Sequence, residues 1–190
     1  MKKMILAGIW LLILTACKET KTKTYNDWKV YGGSKEAIRY SSLTQIDTTN
    51  ITQLQVAWEF HTGDADTAKH SQIQCNPIII DGVMYVTSPQ LLLIALDAAT
   101  GKMKWVYNPD STGSAKPDYH FMLNNNRGVT YWADGDDKRI YYAAGSDIHA
   151  VDAVTGKPVS SFGKYGKIDL REGLGRDVKN LFVTNTSAVI

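Results

Sequence analysis

The sequence predicts an all-β chain, a partial β-propeller of about two and a half four-stranded blades, and three observations carry that prediction. A phrase of the form apolar-Asp-Ala-x-Thr-Gly-Lys occurs twice, as LDAATGK from Leu96 and as VDAVTGK from Val151, roughly 55 residues apart. Around each copy lie short apolar or alternating runs separated by turn residues. Each phrase is followed by an aromatic residue, Trp105 in the first copy and Phe162 in the second. Self-similarity at such a spacing marks a repeat architecture. Four short antiparallel strands with an aromatic anchor on the last describe a propeller blade.

The elements follow in chain order. Met1 to Ala16 read as a secretory signal: Lys2 and Lys3 precede an apolar stretch, Ile5 to Leu14, too short to span a bilayer. Leu14-Thr15-Ala16-Cys17 has the order of a bacterial lipobox, which makes Cys17 the expected site of lipidation and of anchorage to a membrane. Residues 17–26, including the polar run KETKTKT, read as the lipidated cysteine and a flexible tether. Residues 27–190 are left for the propeller. Leu54–Phe60 (LQVAWEF) reads as a lone outer strand in which Trp58 matches Trp105.

The first full blade is expected at Pro77–Ile80, Val83–Thr87, Leu91–Leu96 and Met103–Tyr107, with Asp81-Gly82 as a hairpin turn. In the repeated phrase Gly101 can supply a positive φ, and Asp97 can bond nearby backbone N–H groups. The second blade is expected at Gly128–Trp132, Arg139–Ala144, Ile148–Asp152 and Pro158–Phe162, with a polar turn over Ala133–Asp137. Leu181–Ile190 begins another first strand. A ring needs about four to eight blades, so the chain reads as the N-terminal part of a longer protein.

Charge and cysteines narrow the function. Of 21 Lys and Arg, two precede Cys17, which leaves 19 against 19 Asp and Glu. The mature chain is formally neutral and has no basic block, so nucleic acid is not an expected partner. With Cys17 acylated, Cys75 has no partner for a disulfide and reads as a small buried residue. Asp134, Asp136 and Asp137 read as a solvated turn rather than a calcium cage. His61, His70 and His149 lack metal-type spacing.

Several passages resemble the N-terminal part of the PQQ-dependent quinoprotein dehydrogenases, of the membrane-associated glucose, quinate, polyol and alcohol dehydrogenase type. They are Asp27-Trp28-x-x-Tyr31-Gly32-Gly33 with Arg39-Tyr40-Ser41, Leu54-x-x-Ala57-Trp58-x-Phe60-x-Thr62-Gly63-Asp64, the run from Gln74-x-x-Pro77 to Trp105, and Asn126-Arg127-Gly128-Val129-x-Tyr131-Trp132. The resemblance implies an eight-bladed propeller that binds pyrroloquinoline quinone (PQQ) and oxidises an alcohol, aldose or cyclitol by hydride transfer to the quinone. It places Arg127 on the arginine that bonds the quinone oxygens, Thr186 on a cofactor-binding threonine, and Gln74 where the family has a glutamate facing a cofactor carboxylate. An amide can donate to a carboxylate where a glutamate would need a proton. The adjacent cysteine pair of the alcohol-oxidising branch is absent, with Asn124-Asn125-Asn126 in its place, and Leu123 stands where some members have a histidine.

The family's Ca2+ ligands and its catalytic base are expected beyond Ile190, so the segment alone is expected to be inactive. A quinone or cytochrome would accept the electrons, and the lipid anchor would hold the protein on the periplasmic side of a bacterial envelope. The alternative is a non-catalytic propeller lipoprotein that acts as an envelope assembly scaffold. The lipobox and the Thr-Gly-Lys turns fit both readings, whereas the DWxxYGG opening and NRGVTYW favour the enzyme.

Overall fold

The computed structural model describes residues 25–68, 71–109 and 126–178. Two single-turn 3-10 helices, Tyr31–Gly33 and Ile51–Gln53, precede eight strands. β1 (Ile78–Ile80), β2 (Val83–Thr87), β3 (Leu93–Asp97) and β4 (Met103–Tyr107) form one antiparallel sheet in sequence order. β5 (Thr130–Asp134), β6 (Asp137–Ala144), β7 (Asp147–Asp152) and β8 (Lys167–Asp169) form the second in the same way. These are two successive blades. The β1–β2 hairpin turns on Asp81 (φ 49°) and Gly82 (φ 76°), the paired positive φ values that a two-residue Asp-Gly turn favours.

One apolar core joins the sheets. Ile78, Ile80, Tyr85, Leu93, Ala95 and Tyr107 of the first pack with Val129, Ile140, Tyr142, Ala144 and Val151 around the second. β1 alternates, with Ile78 and Ile80 buried and Ile79 half-buried, whereas Leu93 to Leu96 are all buried, as in a strand covered on both faces. Tyrosine hydroxyls stitch the seam. Tyr85 donates to Ala153 O (3.1 Å), Tyr142 donates to Leu91 O (3.2 Å), and Tyr107 Oη lies 2.9 Å from His149 Nδ1. Burial pushes the Tyr85 phenol up to about 12, which keeps it a donor.

The repeated phrase builds the same turn twice. Asp97 Oδ1 accepts from Ala99 N (3.2 Å), Thr100 N (2.9 Å) and Thr100 Oγ1 (2.8 Å). Asp152 Oδ1 accepts from Val154 N (3.1 Å), Thr155 N (2.7 Å) and Thr155 Oγ1 (2.7 Å). The Thr100 hydroxyl bond holds the Asp97 carboxyl below its ordinary value, so the turn is made by a carboxylate. Gly101 N and Gly156 N close the loops onto Asp97 O (2.8 Å) and Asp152 O (2.9 Å).

Each turn receives an indole from upstream. Trp105 Nε1 donates to Ala153 O (3.2 Å), and its ring lies so close over Gly156 (φ 72°) that a Cβ there would sit 2.7 Å from it. Trp58 donates to Ala98 O (3.2 Å) and covers Gly101 (φ 70°), where a Cβ would meet the ring at 2.5 Å. Glycine is therefore required twice over, by its φ and by the ring above it.

The sequence expectations need four corrections. β3 begins at Leu93 because Leu91, at φ 63°, belongs to a loop that Ser88 N closes onto Leu92 O (2.9 Å). The turn expected over Ala133–Asp137 shrinks to Gly135 and Asp136, since the flanking aspartates pair as the last rung of β5 and β6. Pro158–Phe162 is not the fourth strand of the second blade. Pro158 makes one bridge to Val151, then the chain turns through Gly163 and Gly166, both at positive φ, and returns as β8. Pro158 sits between two rungs, Asp152 N to Lys157 O (2.8 Å) and Val159 N to Ala150 O (2.9 Å), where it needs no donor of its own, and pairing ends beyond it because Phe162 N closes a turn onto Val159 O (2.9 Å). Among the described residues Leu54–Phe60 pairs with no strand, although its Trp58 is placed as expected. Residues 1–24, and the strand expected at 181–190, lie outside the described residues.

Trp105→Ala should destabilise the folded chain by about 3 kcal/mol, because it removes both the packed ring and its N–H donor. Trp105→Phe should cost less, about 1–2 kcal/mol, since a ring remains while Ala153 O loses one donor. Urea unfolding midpoints for the two variants check the order.

Candidate functional site

The ends of the blades differ. Ala98 N donates to Gly82 O (2.9 Å), so the Asp-Thr-Gly turn and the β1–β2 turn share one end of the first blade. β1 starts at the other end, which is also where β2 finishes at Thr87. Gln74, Cys75 and Asn76 lead into β1 there, and Asn126, Arg127 and Gly128 lead into β5.

These two lead-ins are joined. Asn76 and Gly128 form a parallel bridge. Arg127 O accepts from both Asn76 N and Asn76 Nδ2, each at 3.1 Å. Asn126 sets the second lead-in: it is 2% exposed, its Nδ2 donates to Ala143 O (3.0 Å), and its Oδ1 accepts from Gly128 N (2.7 Å). With its neighbours fixed on both sides, Arg127 is left exposed, and among the described residues its guanidinium makes no hydrogen bond or ion pair. Gln74 is half-buried two residues before the bridge, and its Nε2 donates to Gln72 Oε1 (2.9 Å). The second N–H of that amide and its carbonyl oxygen are left for other partners.

The structure therefore brings the segments of Gln74 and Arg127 to one place. It does so through Asn76 and Asn126, which sequence reasoning did not single out. Asn126 was legible only as part of the NRGVTYW passage; a polar residue beside a glycine gives no local sign that it is buried. Asp64, last in the TGD passage, also lies at this end: Oδ2 accepts from Ser88 Oγ (2.5 Å) and Gln90 N (3.0 Å), while Oδ1 is buried without a partner among the described residues. Thr186, Cys17 and His70 lie outside the described residues. Cys75 is only partly buried, and burial raises its thiol, so it is a poor thiolate.

Among the described residues no group of three or more His, Cys, Asp and Glu is placed to hold a metal ion. Asp137 pairs with Arg139, whose hydrogen bond keeps its carboxyl low. His61 is exposed near Glu59 (3.9 Å), and His149 is buried against Tyr107. The lead-ins offer the Arg127 guanidinium and the Gln74 amide and no carboxylate, the amides of Asn76 and Asn126 being engaged with backbone groups. That donor set fits carbonyl and carboxylate oxygens of an anionic ligand.

Comparison with known proteins bears on this reading. Residues 28–190 match the family described as PQQ: glucose/ethanol/alcohol dehydrogenase, beta-propeller domain. The chain is 32% identical over 169 residues to quinoprotein glucose dehydrogenase A of Acinetobacter calcoaceticus, which covers 77% of this chain and 21% of that protein. It is 38% identical over 136 residues to the dehydrogenase subunit of alcohol dehydrogenase (quinone) of Gluconobacter oxydans, covering 71% and 17%. The quinohemoprotein alcohol dehydrogenase of Comamonas testosteroni superposes with a TM-score of 0.63 at 28% identity, over 87% of this chain and 22% of that one. The chain thus spans about a fifth of the length of such relatives.

Asn126→Ala should cost about 2 kcal/mol, because it leaves Ala143 O and Gly128 N unpaired. Arg127→Ala should change stability by less than about 0.5 kcal/mol, as for a surface residue. Thermal or urea unfolding of both variants tests whether Asn126 holds the lead-in that presents Arg127.

Proposed function

The chain belongs to the PQQ-dependent glucose/ethanol/alcohol dehydrogenase β-propeller family, and from that premise we propose that it is the N-terminal part of a quinoprotein dehydrogenase that oxidises an alcohol, aldose or cyclitol. The observation that supports this most is the Asn76–Gly128 bridge, which gathers Gln74 and Arg127 at one end of adjacent blades. When bound, PQQ supplies a quinone carbonyl carbon that accepts hydride from the substrate carbinol carbon.

The residues of this chain hold and polarise rather than react. Arg127 would hold the quinone oxygens with its N–H donors and supply positive charge beside them. Gln74 donates its amide N–H to a carboxylate of the cofactor, and Thr186 adds a hydroxyl. Asn126 and Asn76 fix the backbone from which Arg127 projects, so they are positioning residues. The base that takes the substrate hydroxyl proton and the Ca2+ ligands would come from polypeptide beyond Ile190. The electrons pass on to a quinone pool or a cytochrome. Acylation of Cys17 anchors the protein to a membrane of the bacterial envelope, with the propeller facing the periplasm.

The test uses the longer polypeptide, extracted from its native membrane and stripped with chelator, with dye reduction followed on a panel of alcohols, aldoses and cyclitols. Activity should appear only when PQQ and Ca2+ are both restored. Arg127→Ala should weaken PQQ binding about 100-fold, equivalent to losing about 2.7 kcal/mol of charge-assisted bonding. A folded full-length protein that neither binds PQQ nor reduces dye would overturn the reading in favour of a non-catalytic scaffold.

A further inference from the structure

Asp64 is held by one oxygen only. Its Oδ2 accepts from Ser88 Oγ (2.5 Å) and Gln90 N (3.0 Å), while Oδ1 is buried with no partner among the described residues. A buried carboxyl oxygen without a donor lowers stability. Breaches of that kind are expected where a residue serves a site.

What Asp64 binds is a loop that the second blade lacks. β6 and β7 are joined by Gly145 and Ser146 alone, whereas β2 and β3 are joined by Ser88–Leu92. Leu91 in that loop is buried at φ 63°, a strained conformation for a bulky side chain. The loop keeps this shape by converging on one carboxyl oxygen. Leu92 N donates to Ser88 Oγ (3.0 Å), Ser88 Oγ donates to Asp64 Oδ2, and Gln90 N donates to the same atom.

The loop lies behind the lead-in of β1. The antiparallel register Ile78↔Tyr85, carried upstream, sets Cys75 and Asn76 against Thr87 and Ser88. The Cys75 thiol meets the Thr87 hydroxyl and N–H there, and Thr87 and Ser88 are both buried. Asp64 also reaches the lead-in along the chain. Asp66 N donates to Ser71 Oγ (2.7 Å) and Ser71 N to Asp66 O (3.0 Å), closing the turn that delivers Gln72 and Gln74. Gln74 is thus approached from two sides by elements that Asp64 pins.

We propose that Asp64 is a positioning residue of the cofactor site: by fixing the Ser88–Leu92 loop and the start of the turn that follows it in the chain at 66–71, it aims the Gln74 amide at the ligand. The role rests on the assignment of this end of the blades to PQQ, and adds to it a residue that itself touches no cofactor.

Equilibrium binding of PQQ to the chelator-stripped full-length protein, with Ca2+ restored and no substrate present, tests this. Asp64→Asn and Ser88→Ala should each weaken binding about tenfold. In a Gln74→Ala background each should weaken it by less than about twofold, because the amide they aim is gone. The tenfold loss should persist in an Arg127→Ala background. Ser88→Ala removes one hydroxyl and leaves the loop backbone, so it carries the test if Asp64→Asn does not fold. Equal losses with and without Gln74 would mean a general structural role and would overturn the proposal, as would unchanged binding in both variants. Absence of PQQ binding by the unsubstituted protein would overturn the PQQ assignment itself, and the proposal with it.

Discussion

The contact on which the rest of this structure depends is an indole lying on a glycine. An Asp-Thr pair shapes a tight turn at the edge of each blade, the glycine that ends it carries no side chain, and a tryptophan from the preceding strand fills the space. The indole N–H bonds a carbonyl of the same turn, so the ring is fixed in position and in tilt. Sheets packed face to face are held mainly by apolar area, which is nondirectional. The indole adds direction, and direction is what a ring of blades needs if each is to meet the next at a constant angle.

The spacing set there is felt at the opposite end of the blades. Two sheets held by Trp105, Tyr85 and Tyr142 bring the first strands of each close enough for Asn76 to bond Arg127 O. Turns that join β3 to β4 serve cohesion, and the lead-ins of β1 and β5 hold the proposed cofactor-binding residues. The segregation has a physical logic. A turn filled by an indole has no room for a ligand, whereas a lead-in fixed by asparagine side chains leaves the neighbouring residue free to face outward.

Much of this was legible in the sequence, because the turn is built from residues i to i+5 and its ingredients are contiguous. Asp97, Thr100 and Gly101 announce it, and β2 and β4 fall where alternation puts them. Pro158–Phe162 misled because it occupies the place of β4 and ends in an aromatic. Phe162 instead packs on Tyr141 of its own blade (5.3 Å), so it does not serve as an outward hook. The site was less legible. Arg127 and Gln74 came from family resemblance, and Asn76 and Asn126 act across 51 and 17 residues of chain, a coupling that no local pattern encodes.

Blade spacing depends on the indole and the glycine forming one interaction. A double-mutant cycle of Gly156→Ala and Trp105→Ala, read by urea unfolding, asks this directly. If the ring fills the space that the glycine leaves, Gly156→Ala will cost at least about 1 kcal/mol less when Trp105 is already alanine, since only the backbone strain of a positive φ then remains. Equal costs in the two backgrounds, within about 0.5 kcal/mol, would mean that the two residues act independently and that the blades are spaced by something else.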